Sequence, residues 1–369
     1  MKSNANRFKS RRKSPWDVLP VRTSSEDFIR NDALLHYSQR HPEIRSSDEI
    51  RLVNSYHPHS CRCCGSVDFK KDGFSSNGIQ IYRCNSCHSK FTVLTGTIFD
   101  GHKISITEWI EYWRNLLAYL SLNADSWNNK NAYTTSRYWF KKTCLLLRDI
   151  QDSVLLSGKV YCDETYLPVR SEDIIRKENN HRLRGNSRNQ MCIETITDGK
   201  TVFAKFIGLG APAQKKVYEA LKDHIQPGST LITDKAVCHR MLVRKLNLEN
   251  IEYDSKEIKA LPDKENPMNE INQLHNLLQK FLRAHSGFER EDLQDYLNLF
   301  ALAYNAPDDM YEKIDLLLNL SFVKQNYSDT EPCLPQQSQN QKVKSTRVQI
   351  TPLPNTGTRY FSFLKRRQS

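Results

Sequence analysis

Two pairs of cysteines, each spaced as C-x-x-C, constrain the fold of this chain more than any other feature. Two such pairs on facing hairpins bring four thiolates to one zinc ion. Nineteen residues separate the pairs, with an Asn77-Gly78 turn between strand-like runs, as a ribbon requires. Residues 58–100 therefore predict a zinc ribbon that holds a structural Zn²⁺; the alternative, a redox C-x-x-C motif, normally occurs once and opens a helix. The expected ligands are Cys61, Cys64, Cys84 and Cys87.

The charge balance of the chain favours a polyanionic partner. The 369 residues include 54 Lys+Arg against 42 Asp+Glu, a formal charge of +12, and basic proteins attract nucleic acid. Residues 1–57 are interpreted as a basic arm, which either touches phosphate or is a solvated tail, followed by a short helical region. Residues 307–369 are predicted to be helical at first and then a basic, disordered tail.

The sequence argues against a membrane or secreted protein. It has no run of about 18 apolar residues, and its N-terminus, MKSNANRFKSRRKSPWDV, lacks an apolar stretch after the basic residues. We therefore expect a cytoplasmic protein without a membrane partner, in which the clustered cysteines bind metal instead of forming disulfides.

Residues 101–152 carry the apolar period of helices. The pattern predicts helices at about 107–120, 122–130 and 135–148. They form either a helix-turn-helix that binds DNA or a plain three-helix packing unit, and spacing does not separate the two interpretations. In the first interpretation the third helix contacts phosphate and groove. The residues expected to do so are Arg137, Tyr138, Lys141 and Lys142.

Residues 153–306 alternate strand-like and helical runs, which indicates an α/β fold. Asp163 lies in the strand-like run KVYCDETYL, and Asp234 ends the run STLITD. Two aspartates that converge on neighbouring strands can hold two hard cations such as Mg²⁺, an arrangement suited to phosphoryl transfer. Taken singly, each aspartate is explained by ordinary turn chemistry at a strand end.

A third ligand is expected from the helix after Asp234, which the Asn266-Pro267 pair predicts as a capped helix start. Glu270 follows Asp234 with 35 residues between, and its carboxylate is the better Mg²⁺ ligand. Asn272, with 37 residues between, lies on a polar stripe beside the apolar face of the helix. The two side chains point about 160° apart around the helix. They therefore cannot face the same site, and geometry alone leaves the choice open.

Several linked motifs, taken in order, resemble one known family. They are the ribbon followed by FTVLTGTIF at 91–99, Asp163-Glu164, RGNSRNQMCI at 184–193, GSTLITD at 228–234, Asn272-x-x-His275, and Gly287 before Tyr296-Leu297. Over roughly residues 58–305 the chain is similar to bacterial insertion-sequence transposases of the zinc-ribbon, ISXO-like DDE group. The lysine that this family has one turn after the histidine falls on Gln279 here.

The resemblance implies a ribonuclease-H-like catalytic domain with Asp163, Asp234 and Asn272 as catalytic residues and His275 beside them. It implies a DDE-type transposase that cleaves element ends and joins them to target DNA. Asp163 and Asp234 would bind Mg²⁺ or Mn²⁺. The chain is thus expected to be multi-domain, with a small zinc ribbon, a helix-turn-helix-like segment and an α/β ribonuclease-H-like domain.

The same resemblance implies the partners and the location. They are double-stranded DNA, both terminal inverted repeats and target, bound by a homo-oligomer at the bacterial nucleoid. Two alternatives stay open: a catalytically inactive DNA-binding descendant of a transposase, and a metal-dependent nuclease without strand transfer.

Overall fold

A computed structural model describes residues 46–101, 105–128, 131–285 and 288–324, together with Phe28 and Asn31. The predicted arm at the N-terminus and the predicted disordered tail lie outside the described residues, as does Gly287. Within the described ranges, no helix is long and apolar enough to cross a bilayer.

The cysteine-rich segment is a small antiparallel sheet. Helix α1 (Ser46–Ser55) precedes strands β1 (Phe69–Phe74), β2 (Gln80–Cys84) and β3 (Lys90–Phe91), with β2 in the middle. The predicted turn is present: Gly78 has a φ of 77°, in the left-handed region that glycine adopts without a steric penalty. The Gly78 N–H donates to the Ser75 carbonyl at 2.9 Å, which closes the turn between β1 and β2.

Three helices follow close to the predicted positions: α2 (Ile106–Leu117), α3 (Leu122–Asn128) and α4 (Tyr133–Leu147). Residues 129 and 130, where the second predicted helix ends, lie outside the description. One buried carboxylate ties the three helices together. Asp125 in α3 accepts hydrogen bonds from Asn115 of α2 at 2.9 Å and from Ser136 of α4 at 2.5 Å. A buried charge is tolerated when it is hydrogen-bonded in this way.

The helical segment shares its apolar core with the end of the chain. Trp109 of α2 stacks on Trp139 of α4 with centroids 4.8 Å apart. Phe140 of α4 stacks at 4.6 Å on Tyr296, in a helix beyond the α/β sheet. These rings belong to one continuous cluster of buried residues, so α4 is packed between its own bundle and the helices that follow the sheet.

The α/β segment contains a five-stranded mixed sheet. Its strands are β4 (Lys159–Pro168), β5 (Gln190–Thr197), β6 (Val202–Leu209), β7 (Thr230–Asp234) and β8 (Glu249–Tyr253), in the order β6-β5-β4-β7-β8. Strands β4, β5 and β6 are antiparallel, whereas β7 and β8 run parallel to β4. The prediction of a mixed α/β segment is confirmed.

Helices cover both faces of this sheet. Helices α5 (Gln214–Leu221) and α6 (Arg240–Leu246) pack on one face, against residues such as Val160 and Leu231. After the short α7 (Ser255–Ile258), helices α8 (Asn269–Ala284) and α9 (Leu293–Asn305) pack on the other face. The final helix, α10 (Met310–Val323), lies against α2 and α4.

Element boundaries depart from the prediction at three points. The run CHRMLVRKLNL at 238–248 has a helical pattern, but its helix ends at Leu246, because Asn247 adopts a left-handed conformation (φ 51°) that caps it. Strand β8 was not predicted, since it is an exposed edge strand with little apolar alternation. Helix α8 begins at Asn269 instead of at the Asn266-Pro267 pair; the Asn266 side chain accepts from the Met268 N–H at 2.9 Å, just before the helix.

Candidate active site

The two predicted aspartates lie at the same level on adjacent parallel strands. Tyr161 of β4 pairs with Ile232 of β7, and continuing this register by two residues places Asp163 beside Asp234. Because side chains alternate along a strand, both point to the same face as Tyr161 and Ile232. This is the face that α8 covers. The structure thus brings together two carboxylates whose segments are far apart in sequence.

Backbone and hydroxyl donors hold each carboxylate. Asp163 Oδ1 accepts the N–H of Glu164 at 2.9 Å. Asp234 Oδ1 accepts the N–H of Ala236 at 3.0 Å, and its Oδ2 accepts the hydroxyl of Ser255 at 3.3 Å. Each carboxylate can accept about four hydrogen bonds or metal contacts, so both retain lone pairs for a ligand.

The electrostatics of the pair are those of an uncompensated anionic site. Burial, and then the charges of Glu164 and Asp234, raise the pKa of the Asp163 carboxyl to about 7. The main positive charge acting in the other direction is that of His239, on the opposite face of the sheet. A divalent cation between the aspartates would supply the missing positive charge, and oxygen ligands suit Mg²⁺ or Mn²⁺. The residues present therefore fit such ions.

His275 of α8 faces Asp163 as a neutral ring. Burial lowers the pKa of His275 to about 4. Thr195 donates its hydroxyl proton to the Asp163 carbonyl at 2.9 Å and contacts His275 Nε2 at 2.7 Å. Because Thr195 has only one proton to give, Nε2 carries the proton of the second contact. The unprotonated Nδ1 then lies 3.7 Å from Asp163 Oδ2.

The two candidates for the third catalytic position lie in different surroundings. Asn272 is exposed and sits one turn before His275 on α8. The Glu270 carboxylate lies against the turn between β5 and β6, where its Oε2 would be 3.5 Å from a Cβ added to Gly199. Glu270 therefore points toward that turn, whereas Asn272 is nearer to His275. The assignment of Asn272 remains a prediction.

Beyond His275, Gln279 occupies the position of the expected lysine, and the cationic Arg283 follows one turn later. Gln279 donates to the Thr165 hydroxyl at 3.4 Å, and Arg283 donates to Gln279 at 3.4 Å. Both line a cavity of about 400 Å³ that also includes Arg290. The two guanidinium groups that line this cavity provide positive charge suited to a phosphate backbone.

The four predicted zinc ligands converge on one point. Cys61 Sγ and Cys87 Sγ are 3.7 Å apart, and Cys64 Sγ and Cys84 Sγ are 3.6 Å apart. All four sulfur atoms lie within 4.8 Å of one another. Zn–S bonds of about 2.3 Å in a tetrahedron place sulfur atoms about 3.8 Å apart. The geometry of the cluster therefore fits Zn²⁺.

The predicted DNA-contact residues of α4 divide into two groups. Arg137, Tyr138 and Lys141 are exposed. Lys142 is 3% exposed, with its ammonium 5.4 Å from the Tyr138 ring centroid. In this conformation Lys142 does not reach a phosphate, because its position on α4 faces the core together with Trp139 and Ser136. Arg137 also lies 3.8 Å from Glu289.

Comparison with known protein families finds a similarity over the sheet-containing part. Residues 155–305 match the family model of the ISXO2-like transposase domain. The resemblance to ISXO2-like transposases is confirmed. The matched segment of the ISXO2-like domain contains Asp163, Asp234, Asn272 and His275.

Similarity to individual proteins is weaker. No curated protein matches the chain. Among solved structures, the catalytic domain of the Mos1 mariner transposase covers 49% of this chain and 87% of its own, with 15% identity and a TM-score of 0.27. The match to the Mos1 mariner paired-end complex with Mn covers 57% of this chain and 74% of that one, with 12% identity and a TM-score of 0.27. A simian T-cell lymphotropic virus intasome, in complex with PP2A regulatory subunit B56 gamma, covers 52% and 68%, with 9% identity and a TM-score of 0.26.

Sequence reasoning missed three residues close to the two aspartates. Thr195 lies directly across from Asp163 in the β4–β5 pairing. Tyr253 lies across from Asp234 in the β7–β8 pairing, and Ser255 follows two residues later. The sequence carries no signal for these contacts, because they depend on strand register across long loops.

The raised pKa of Asp163 predicts that this residue destabilises the domain when no divalent cation is bound. Between the unfolded pKa near 4 and the folded pKa of about 7, the folded state holds the proton longer, so stability falls as pH rises. Asp163→Asn should therefore raise the free energy of unfolding at pH 8 by on the order of 2–4 kcal/mol, and by much less at pH 4. Thermal unfolding without added Mg²⁺, at both pH values, measures the difference.

Asp254→Asn is the control of opposite sign. The Lys256 N–H and the Lys235 ammonium lower the pKa of Asp254, so its carboxylate stabilises the fold above pH 4. Its replacement should lower the melting temperature at pH 8. A lower melting temperature for Asp163→Asn at pH 8 would show that the site is already neutralised by the protein.

Proposed function

We propose that this protein is a DNA transposase, which cleaves the ends of a mobile element and joins them to target DNA. The observation that carries the proposal is the alignment of Asp163 with Asp234 on adjacent parallel strands, within the segment that matches the ISXO2-like transposase domain. A mixed sheet with these residues on its central strands supports a ribonuclease-H-like catalytic domain.

In the proposed mechanism Asp163 and Asp234 hold two Mg²⁺ or Mn²⁺ ions. When bound, such ions activate the attacking oxygen and stabilise the leaving oxygen of an in-line displacement. Ser255 and the Ala236 N–H fix the orientation of the Asp234 carboxylate. Asn272 adds a neutral oxygen at the exposed side of the site. His275, held by Thr195, presents an unprotonated nitrogen toward Asp163.

DNA recognition is assigned to the parts that precede the sheet. The ribbon, with Zn²⁺ bound by its four cysteines, and helix α4 would bind the terminal inverted repeats. Arg137, Tyr138 and Lys141 are exposed on α4 for this contact, whereas Lys142 supports the helix from inside. Pairing of two element ends would require a homo-oligomer in the DNA complex, acting on bacterial DNA in the cytoplasm.

A strand-transfer assay tests the proposal. The full-length protein is incubated with labelled DNA carrying the element's own ends, a supercoiled target and Mg²⁺. Joined product is expected. Cleaved ends without joined product would favour a metal-dependent nuclease, and end binding without cleavage would favour an inactive DNA-binding descendant.

Binding of end DNA should depend steeply on salt. Each lost phosphate contact lowers the slope of log K against log salt by about 0.9, so Arg137→Ala or Lys141→Ala should each flatten the slope by up to about that amount. Fluorescence anisotropy between low and moderate salt measures it. Lys222→Ala is the matched control, since this exposed lysine pairs with Glu219 at 2.7 Å next to α5. An unchanged slope for both α4 variants would remove this surface from the DNA interface.

A further inference from the structure

A second cluster of metal-ligating side chains lies on the opposite face of the sheet from the aspartates. Cys162 and Glu164 flank Asp163 on β4 and point to the other side, because side chains alternate. Glu194 of β5 pairs directly with Glu164. Cys238 and His239 come from the 3₁₀ turn that follows β7. The cluster therefore joins three elements: the two strands at the centre of the sheet and the segment just after Asp234.

The donor atoms of this cluster surround the imidazole of His239. Its Nε2 lies 3.0 Å from Glu194 Oε1, 3.7 Å from Glu164 Oε1 and 3.8 Å from Cys238 Sγ. Cys162 Sγ lies 3.2 Å from the same Glu194 oxygen. The ligand atoms of Cys162, Glu194 and His239 lie within 4.8 Å of one another, and so do those of Glu164, Cys238 and His239.

These separations lie within about half an ångström of the edges of a zinc coordination tetrahedron. With Zn–S near 2.3 Å and Zn–N or Zn–O near 2.0 Å, neighbouring ligand atoms are about 3.3–3.8 Å apart. Thiolate, imidazole and carboxylate are also the ligand types that zinc takes. The cluster thus has the ligand chemistry of a zinc site and two triads of closely spaced donor atoms that share His239, on a face that the aspartates do not use.

Burial and charge point to a missing cation. Glu194 is 0% exposed and His239 is 2% exposed. Among the described residues, Glu194 Oε2 is fully buried and has no hydrogen-bond partner. One imidazolium can neutralise only one of the two carboxylates, and an unpaired buried charge is strongly unfavourable. A plain hydrogen-bonded network satisfies Glu164, which accepts from Cys238 at 2.6 Å, but leaves the buried Glu194 Oε2 without a partner, whereas a divalent cation accounts for that oxygen.

We propose that this cluster is a second, structural Zn²⁺ site of the chain, buried behind the catalytic strands. Cys162, Glu194 and His239 bind the ion, and the fourth ligand is Cys238 or Glu164, whose Sγ and Oε1 lie 2.6 Å apart. Four protein ligands leave no open position, so the ion takes no part in chemistry. The ion joins β4, β5 and the segment after β7 on the face of the sheet opposite the aspartates. It thereby stabilises the relative position of Asp163 and Asp234.

Metal counting on the full-length chain tests the proposal. Protein purified without chelators is analysed for zinc by plasma mass spectrometry. The wild type is expected to hold about two zinc ions, Cys64→Ser about one and the double variant Cys64→Ser/Cys162→Ser close to none. Cys144→Ser is the matched control, because Cys144 is a buried cysteine of α4 outside both clusters; it should retain the wild-type count.

Cobalt substitution gives a reading that does not depend on folding of a cluster variant. Co²⁺ added to metal-free Cys64→Ser should produce a thiolate-to-cobalt charge-transfer band from the Cys162 thiolate. The band should disappear in the double variant. It should persist in Cys64→Ser/Asp163→Asn, which removes a carboxylate of the catalytic pair.

Three outcomes would overturn the proposal. Absence of zinc and of a cobalt band in Cys64→Ser would make the ribbon the whole zinc complement. Loss of the second ion in Asp163→Asn, with retention in Cys162→Ser, would assign it to the catalytic carboxylates. Retention of the full zinc count in Cys162→Ser and in His239→Ala would also exclude the cluster as its ligand set.

Discussion

Asp163→Asn and Asp234→Asn are each expected to abolish cleavage of element ends in Mg²⁺, with a loss of at least about 100-fold, while end DNA remains bound. Each substitution removes a charged ligand from the proposed metal site. The loss of a metal ligand raises the activation barrier by several kcal/mol, and each 1.4 kcal/mol or so lowers the cleavage rate about tenfold. The substitutions keep the size of the side chain, so the amide of Asp234→Asn can still accept the Ala236 N–H through its oxygen, and its NH2 can donate to the Ser255 hydroxyl. Gel-based cleavage and an anisotropy binding assay on the same preparations separate chemistry from affinity.

The matched pair for this prediction is on helix α8. Asn272→Ala should lose cleavage to a comparable extent, because Asn272 sits on the exposed side one turn before His275. Glu270→Ala should retain it, because the Glu270 carboxylate lies against the Gly199 turn. An inactive Glu270→Ala with an active Asn272→Ala would transfer the third position to Glu270. If all four variants cleave normally, the sheet does not carry the nuclease.

The second large effect is expected from the ribbon. Cys64→Ser should release the ribbon zinc and reduce affinity for end DNA at least about tenfold, because metal binding supplies most of the folding free energy of such modules, about 10–16 kcal/mol in zinc-finger peptides. The catalytic sheet should stay folded, since the ribbon cysteines form a cluster separate from its core. Zinc content, anisotropy and circular dichroism of the same sample measure the three effects.

Cys63→Ser provides the matched control for the ribbon. Cys63 lies between two ligands but is not part of the four-cysteine group. It should therefore keep zinc and DNA affinity. A Cys64→Ser protein that keeps its ribbon zinc and its affinity would contradict the zinc-ribbon interpretation, and loss in both variants would point to general misfolding of the segment.

Local patterns predicted much of this structure. The cysteine spacing and the Asn77-Gly78 turn indicated the ribbon, and the apolar period placed the helices within a few residues. The apolar face of α8 was also predicted correctly, since its members are almost fully buried. They are Ile271, Leu274, Leu278 and Phe281.

What the sequence did not provide depends on long-range register and packing. Asp163 lies beside Asp234 and pairs with Thr195 because of the strand register. The long connections between these strands leave that register undetermined by the local sequence. Lys142 belongs to a basic run on α4, and only the packing of that helix determines that it is buried. The apolar period shows that a helix has a buried face, but it does not name the partner of that face.

The shared aromatic core has a consequence for where DNA is cut. Phe140 of α4 stacks on Tyr296 of α9, so the helix proposed to bind an element end is held rigidly against the domain that carries the aspartates. The distance from the bound sequence to the cleaved phosphate is then set by the packing of α4 against this domain and not by a flexible linker. Replacing Phe140 or Tyr296 by a smaller residue should therefore spread the cleavage positions along the DNA strand before it lowers the affinity for the element end.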